Sequence, residues 1–363
     1  MKKVKIGDIT DSCLGKMLDA EKNKGTYKPY LANVNVRWGD FDTSQLSLMR
    51  FEDAEDERYG IKKGDLIICE GGEPGRCAIW DESIPNMKIQ KALHRVRAHA
   101  GYDIRYIYYW MLLAGRNDLL KGYFTGSTIK HLPGDKLKEI VIEVPEYEQQ
   151  GAISDVLESI DAKIKINNRI NDNLQQMAYD TYMHLFFKKQ PNGKLGKIVV
   201  ENNKSSVQVG EAKGKSGDYT FFTSGDAILE WDCSMVDGRN CFLNTGGNAG
   251  VKFYIGEAAY STDTWCITAN SYLEDYLYLL LLSIKAELNQ KFFQGTGLKH
   301  LQKPLLKDRL IYIPSEEEIK SFNSKVQPLM DMVSANTREN KRLINLRDWL
   351  LPMLMNGQVT VGD

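Results

Sequence analysis

The chain contains two copies of one long sequence pattern. FTGSTIKHL at 124–132 corresponds to FQGTGLKHL at 293–301, an offset of 169 positions. The same offset relates Val144-Pro145 to Ile313-Pro314. A solenoid would show many short repeats, whereas two long ones indicate a duplicated domain with pseudo-twofold symmetry.

The upstream parts of the two copies share an order of elements more than a sequence. Glycine-rich turns between β-branched and aromatic runs predict hairpins at 64–80 and 240–256. A short β-type run is also expected at 5–9, and amphipathic helices at about 103–121 and about 273–293. Each copy therefore predicts a mixed α/β domain that is followed by the repeated loop, a strand and a proline.

Both copies end in a long helix with an apolar heptad pattern, expected over 149–187 and 316–350. Each helix follows a proline and has acidic residues in its first turn, which favours a helix start. The seam positions alternate in steps of four and three: Ile153, Leu157, Ile160, Ile164, Asn167, Asn171, Leu174 and Ala178, with Phe322, Val326, Leu329, Val333, Asn336, Asn340, Leu343 and Arg347 in the second copy.

The asparagines of the two seams predict how the helices pair. In an antiparallel coiled coil Asn167 lies opposite Asn340, and Asn171 lies opposite Asn336, so each amide has a polar partner. We expect these four residues to fix the register, because a polar seam residue restricts alignment at some cost in stability. The alternative, two amphipathic helices packed on separate domains, stays open at this point.

The sequence lacks signatures of catalysis, metal binding and membrane insertion. VGEAKGKS at 209–216 resembles a phosphate-binding loop but has Val209 where that motif needs glycine. The loose methyl-donor pattern at 293–297 lacks its second glycine in the other copy. The six cysteines form no C-x-x-C, and the longest apolar runs are far shorter than the roughly 18 residues of a membrane span. We expect no metal and no cofactor in this chain, no enzymatic activity of its own and a cytoplasmic location.

Recognition is the remaining function class, although the formal net charge is only −1. Backbone amides, hydroxyls and lysine in the two repeated loops suit phosphate contacts, and cationic, amide and hydroxyl side chains elsewhere suit base edges. A purely structural turn is the alternative for the loops. The candidate contacts are Arg37, Arg76, Lys88, Gln90, Lys91, Arg95, Thr125, Ser127, Thr128, Lys130, His131, Lys213, Lys215, Arg239, Asn248, Lys252, Thr262, Thr296, Lys299 and His300.

These features together resemble the DNA-specificity subunit of type I restriction–modification systems. The loops at 126–132 and 295–301, the hairpin at 64–75 and the two heptad helices carry the resemblance, which covers nearly the whole chain. It implies an α+β fold with two target recognition domains, related by pseudo-twofold symmetry and joined by an antiparallel coiled coil. The expected segments are domain 1 at 1–145, a spacer helix at 146–190, domain 2 at 191–313, and a second spacer helix with a tail at 314–363.

The resemblance also implies a mechanism and partners. Each domain would read one half of a bipartite, asymmetric target in double-stranded DNA. About 35 helical residues give a rod of roughly 50 Å, which would set the spacer between the half-sites. Modification (methyltransferase) subunits with S-adenosylmethionine, and a restriction (motor-nuclease) subunit with Mg and ATP, would supply the chemistry. A specificity subunit of a related modification or phage-defence system, a protein-binding scaffold and a stand-alone methyltransferase are the alternatives.

Overall fold

The chain divides into two compact units, of which the first combines two segments distant in sequence and the second is continuous. The structure, a computed structural model, describes residues 1–19, 23–270 and 272–362. Unit 1 comprises Met1–Lys163 and Arg342–Asp363, and unit 2 comprises Ile164–Lys341. The segments expected from sequence stay a prediction; residues 20–22, 271 and 363 of those segments lie outside the described residues.

Unit 1 is a mixed α/β unit whose strands form several small sheets. Its helices are α1 (Ile6–Ile9), α2 (Asp56–Tyr59), α3 (Ile104–Arg116), α4 (Gly134–Glu139) and the beginning of α5 (Tyr147–Phe186), with 3₁₀ turns at Asn33–Asn35, Asp53–Glu55 and Lys121–Tyr123. Its strands are β1 (Lys2–Lys5), β2 (Thr10–Leu14), β3 (Thr26–Leu31), β4 (Val36–Arg37), β5 (Asp40–Phe41), β6 (Ser47–Phe51), β7 (Leu66–Cys69), β8 (Cys77–Ile79), β9 (Lys88–Ile89), β10 (Leu93–Ala98) and β11 (Val141–Val144).

Unit 2 is also a mixed α/β unit, and it includes most of α5. Its strands are β12 (Gly193–Lys194), β13 (Val199–Glu201), β14 (Tyr219–Phe222), β15 (Ile228–Trp231), β16 (Arg239–Asn244), β17 (Val251–Ile255), β18 (Ala258–Tyr260), β19 (Thr264–Ala269), β20 (Phe293–Gln294), β21 (His300–Leu301) and β22 (Leu310–Ile311). Its helices are α6 (Val209–Ala212), α7 (Glu274–Ser283), α8 (Lys285–Glu287), α9 (Lys303–Lys307) and most of α10 (Glu316–Met355), with a 3₁₀ turn at Leu195–Lys197 and a π turn at Leu288–Phe292.

Sheet topology confirms the duplication, including the parts where the sequence repeat fades. Unit 1 has a four-stranded sheet in the order β2-β10-β7-β8, and unit 2 has the corresponding order β13-β19-β16-β17. A three-stranded sheet accompanies each, β6-β3-β9 and β15-β14-β18, and each contains one antiparallel and one parallel pair. A two-stranded ribbon, β1-β11 or β12-β22, completes each unit. The two copies therefore share one fold.

The long helices contribute to the hydrophobic core of each unit. In unit 1, Ile153 and Leu157 of α5 pack in the same buried cluster as Leu351 and Leu354 of α10. In unit 2, Phe186 of α5 lies 5.3 Å, centroid to centroid, from the ring of Phe322 of α10. Burial of these aliphatic and aromatic side chains, each worth about 1.5–3 kcal/mol, explains why both helices extend to 40 residues. The predicted antiparallel pairing of the two helices is confirmed.

The four asparagines of the seam are bonded in pairs; Asn167, Asn171 and Asn340 are buried, and Asn336 is half-buried. Asn167 Nδ2 donates to Asn340 Oδ1 at 2.9 Å, and Asn336 Nδ2 donates to Asn171 Oδ1 at 2.9 Å. These are the two pairs that the antiparallel arrangement predicts. Glu339 accepts a second bond from the Asn167 amide at 2.7 Å. Their role in fixing the register stays a prediction.

Some short elements differ from the sequence-based expectation. The run at 5–9 was expected to be a strand, but after β1 it forms α1, because Ile6 and Ile9 are both buried and lie three residues apart, which is a helical spacing. The helix expected over 103–121 ends at Arg116, where Asn117 Nδ2 donates to the Leu113 carbonyl oxygen at 3.1 Å. The helix expected over 273–293 breaks after Ser283 into α8 and the π turn. No helix within the described residues is long and apolar enough to cross a membrane.

The Asn167–Asn340 pair generates a prediction about stability. Asn167→Leu leaves the side-chain oxygen Oδ1 of the buried Asn340 without the donor Asn167 Nδ2. We expect this loss to lower the unfolding free energy by about 1–3 kcal/mol. The double variant Asn167→Leu/Asn340→Leu removes both polar groups, so we expect it to be more stable than the single variant. Chemical denaturation of the four proteins of this mutant cycle measures the coupling. Additive effects of the two substitutions would contradict a direct interaction.

Candidate nucleic-acid interface

The first repeated loop is a closed and rigid structure. Thr125 and His131 exchange backbone hydrogen bonds of 2.8 and 3.0 Å across its base. Lys130 Nζ donates to the Gly126 carbonyl oxygen at 2.8 Å. Gly126 has φ +89°, and a Cβ there would lie 2.2 Å from the Ile129 carbonyl oxygen, so only glycine fits. Gly126 is therefore needed to close this loop.

The second repeated loop has the same construction. Strands β20 and β21 close it through Phe293–Leu301 and Gln294–His300 pairs. Gly295 has φ +150°, and a Cβ there would lie 2.6 Å from the Leu298 carbonyl oxygen. Both loops therefore contain a turn at which only glycine fits.

Each repeated loop packs against the glycine turn of a neighbouring hairpin. In unit 1, the Leu132 amide donates to the Glu70 carbonyl oxygen at 2.7 Å, and the His131 ring would lie 3.1 Å from a Cβ at Gly71. In unit 2, the Gly247 amide donates to the Lys299 carbonyl oxygen at 2.9 Å. We call the repeated loop and the glycine turn against which it packs a loop pair. The loop pair of unit 1 comprises residues 70–75 and 124–132, and that of unit 2 comprises residues 245–250 and 293–301.

The predicted contact residues of the two repeated loops are exposed. Neither nine-residue segment contains a carboxylate, and each carries one lysine and one histidine. Hydroxyls, cations and free backbone amides near an exposed turn can bind phosphate oxygens. The exposed predicted residues are Thr125, Ser127, Thr128, Lys130, His131, Thr296, Lys299 and His300.

The remaining predicted residues divide by exposure. Lys215 is exposed, and its Nζ lies 4.1 Å from the centroid of the Trp231 ring. Arg37 is exposed but bonds to Asp42 at 3.3 Å. Others in accessible positions are Lys213 and Asn248, which are exposed, and Gln90, Lys91 and Thr262, which are half-buried.

Besides Arg37 and Lys130, five predicted residues have side chains that make internal hydrogen bonds or ion pairs in this fold. Arg95 donates to the carbonyl oxygens of 57, 58 and 60, and Lys252 to those of 223 and 225. Burial lowers the pKa of Lys252. Lys88 is buried beside Asp56, at 3.1 Å. The others are Arg76, bonded to Glu73 and the carbonyl of 33, and Arg239, bonded to Asp275 and Asp331. DNA contact by any predicted residue stays a prediction.

The sequence reasoning missed the contact between the loops and the glycine turns. The buried His94 ring lies 2.9 Å from the Leu132 carbonyl oxygen and links the loop to β10, and burial lowers its pKa. The double glycine in both copies, at 71–72 and 246–247, was the signal that these turns have a common role. Among the described residues no group of three or more His, Cys, Asp or Glu side chains could hold a metal ion.

Comparisons with known proteins assign this duplicated architecture to a family. The family model for the type I restriction modification DNA specificity domain matches residues 1–176 and 185–345. The chain belongs to this family of DNA-specificity subunits.

Named relatives and a solved structure agree with this family. The MjaIX specificity subunit of a type I restriction enzyme of Methanocaldococcus jannaschii is 22% identical over 83% of this chain and 79% of that protein. The HindI specificity subunit of Haemophilus influenzae is 19% identical over 98% of this chain and 100% of its own length. The crystal structure of a type I restriction-modification S subunit from M. genitalium matches with a TM-score of 0.60 at 16% identity, over 97% of this chain and 95% of the other. That match shows a shared fold. The resemblance and function predicted from sequence are thereby confirmed: this chain is a DNA-sequence recognition subunit.

The ion pair between Arg239 and Asp275 of this specificity subunit generates a prediction about the stability of the fold. Its guanidinium bonds to the fully buried Asp275 at 2.8 Å, and burial raises the pKa of that carboxyl to about 6. Arg239→Met leaves a buried carboxylate unpaired, so we expect a loss of about 3–5 kcal/mol in unfolding free energy near neutral pH.

The same pair predicts the direction of the pH dependence. An acid whose pKa is raised on folding binds a proton more readily in the folded chain, so its contribution to stability falls as pH rises from about 4 to about 6. Without Arg239 the pKa rises further, and the fall extends to higher pH. Denaturation at pH 5 and pH 7.5 should therefore show the larger penalty at pH 7.5. Adding Asp275→Asn is the control that should remove the difference; an equal penalty at both pH values would contradict this role.

Proposed function

We propose that each unit of this specificity subunit reads one half of a bipartite, asymmetric DNA target. The observation that carries the proposal is that each unit has its own loop pair, built in the same way, beside strands of different sequence. An equivalent loop can hold the sugar–phosphate backbone in the same orientation in both half-sites, while the differing strands and turns contact different base edges.

The long helices have the second role in this proposal. Helices α5 and α10 each run without a break through residues of both units. A continuous helix has a fixed rise of about 1.5 Å per residue, so its length can set the number of unread base pairs between the half-sites. Exposed apolar side chains along these helices, such as Ile166, Met332 and Trp349, suit the docking of modification subunits.

The chemistry is assigned to partner subunits in this proposal. Modification subunits would bring S-adenosylmethionine and the methylating site, and a restriction subunit would bring Mg, ATP and nuclease activity. The charge distribution supports this division, because the segments 1–145 and 191–313 have formal net charges of only +2 and 0. Steep salt dependence of DNA binding is therefore expected of the assembled complex and not of this chain alone.

A domain exchange tests the assignment of half-sites. Replacing residues 1–145 by the corresponding segment of another specificity subunit should change one half of the methylated sequence and leave the other half and the spacer intact. Methylome sequencing of cells that express the chimera with the modification subunit reads the outcome. Exchange of residues 191–313 is the matched control and should change the opposite half. A change in both halves from one exchange would contradict independent reading.

A paired insertion tests the spacer. One heptad added to each helix, between 163 and 164 and between 341 and 342, keeps the seam in register and adds about 10 Å of helix. Since each base pair adds about 3.4 Å, we expect the spacer to lengthen by about three base pairs or methylation to be lost. Substituting one heptad by another of equal length at the same places is the control. An unchanged spacer with full methylation would contradict the proposal.

A further inference from the structure

Two exposed aliphatic residues occupy equivalent positions at the tips of the repeated loops. Ile129 is 66% exposed and Leu298 is 65% exposed, and the offset of 169 relates one to the other. An isolated exposed aliphatic residue is ordinary on a protein surface. Two aliphatic residues of nearly equal exposure at the same point of both copies indicate a feature that the duplicated domain retains.

The loops present these side chains on a rigid backbone. The carbonyl oxygens of Ile129 and Leu298 lie so close to Gly126 and Gly295 that no other residue fits at either glycine. The cross-loop hydrogen bonds then hold the tip in place. An apolar side chain on such a tip can enter a stack of bases without the entropic cost of ordering a flexible loop.

The surroundings of the tips suit DNA better than a protein groove. Lys130 and Lys299 follow the aliphatic residues directly, and Ser127, Thr128 and Thr296 precede them. Neither loop has a carboxylate that would repel phosphates. An exposed apolar side chain with a lysine and hydroxyl residues beside it in the loop matches a base step flanked by two negatively charged strands.

The repetition argues for a contact that is independent of sequence. The two units differ in the strands and turns around the loops, yet both keep an aliphatic tip followed by Lys and His. Hydrogen bonds to base edges would require different side chains in two different half-sites. Insertion between stacked bases requires only an apolar wedge.

We propose that Ile129 and Leu298 are wedges that each insert at one base step of the half-site bound by their own unit. Lys130 and Lys299 contact the phosphates beside that step. The insertion unstacks the two bases and kinks the duplex locally, so it favours deformable steps such as pyrimidine–purine ones. This inference rests on the proposed reading of one half-site by each unit.

The test uses the complete complex with its modification subunits and a duplex that carries the target mapped by methylome sequencing. 2-Aminopurine, whose fluorescence rises when it is unstacked, replaces one base at a time, and the methylated adenines are left unlabelled. The variants are Ile129→Ala and Leu298→Ala. The matched controls are Leu119→Ala and Leu310→Ala, aliphatic residues of units 1 and 2 that are 54% and 60% exposed outside the loops.

We expect the wild-type complex to give a fluorescence rise at one step in each half-site. Ile129→Ala should abolish the rise in one half-site only, Leu298→Ala in the other, each with about tenfold weaker binding. The controls should change neither signal. A wild-type complex that binds its target specifically but shows no loop-dependent unstacking would overturn the wedge and leave the proposed function intact.

Two further outcomes separate the alternatives. Loss of modification subunits from the Ile129→Ala or Leu298→Ala complex, seen by size-exclusion chromatography, would overturn the wedge in favour of a protein contact. A wild-type complex without preference for the mapped duplex over a scrambled one would overturn the proposed function itself.

Discussion

The buried seam between α5 and α10 is the interaction on which the rest of the structure depends. The core of unit 1 includes Ile153 from the start of α5 and Leu354 from the end of α10. The core of unit 2 includes Phe186 from the end of α5 and Phe322 from the start of α10. The core of each unit is therefore built from its α/β domain together with side chains from both long helices. Antiparallel pairing is required by this arrangement, because each unit needs opposite ends of the two helices.

The parts of the fold that could be predicted from sequence are those with a long or repeated pattern. A heptad pattern of eight positions distinguishes a helix from a strand without ambiguity, and its copy at an offset of 169 placed Asn167 opposite Asn340. The hairpins at 64–80 and 240–256 were recognisable because glycine turns separated two strand-like runs. In contrast, a run of five residues such as 5–9 fits both a strand and one turn of helix, and burial of Ile6 and Ile9 decides between them only after the chain has folded.

The candidate site was predictable where local sequence determines exposure. The repeated loops combine glycine with hydroxyl and charged residues, a composition typical of surface turns, and their polar residues are exposed. For cations elsewhere the residue type was a poor guide. Arg95 and Lys252 donate to backbone carbonyl groups of turns that are distant in sequence, and the partner of Arg239 is a carboxylate that is fully buried. Such partners are brought close by tertiary structure, so no spacing in the sequence indicates them.

These internal bonds also determine which cations are available to DNA in a subunit whose formal net charge is −1. Arg239 is paired with carboxylates, and Arg95 and Lys252 donate to backbone carbonyl groups, so these three side chains are less available to phosphates than the exposed lysines of the repeated loops. Nonspecific affinity grows with the number of phosphates neutralised, so we expect it to be low for this chain alone. On this expectation the chain depends on partner subunits of the proposed complex for much of its affinity. Its own contribution to selectivity comes from rigid loops and strands, which lose little conformational entropy when they bind.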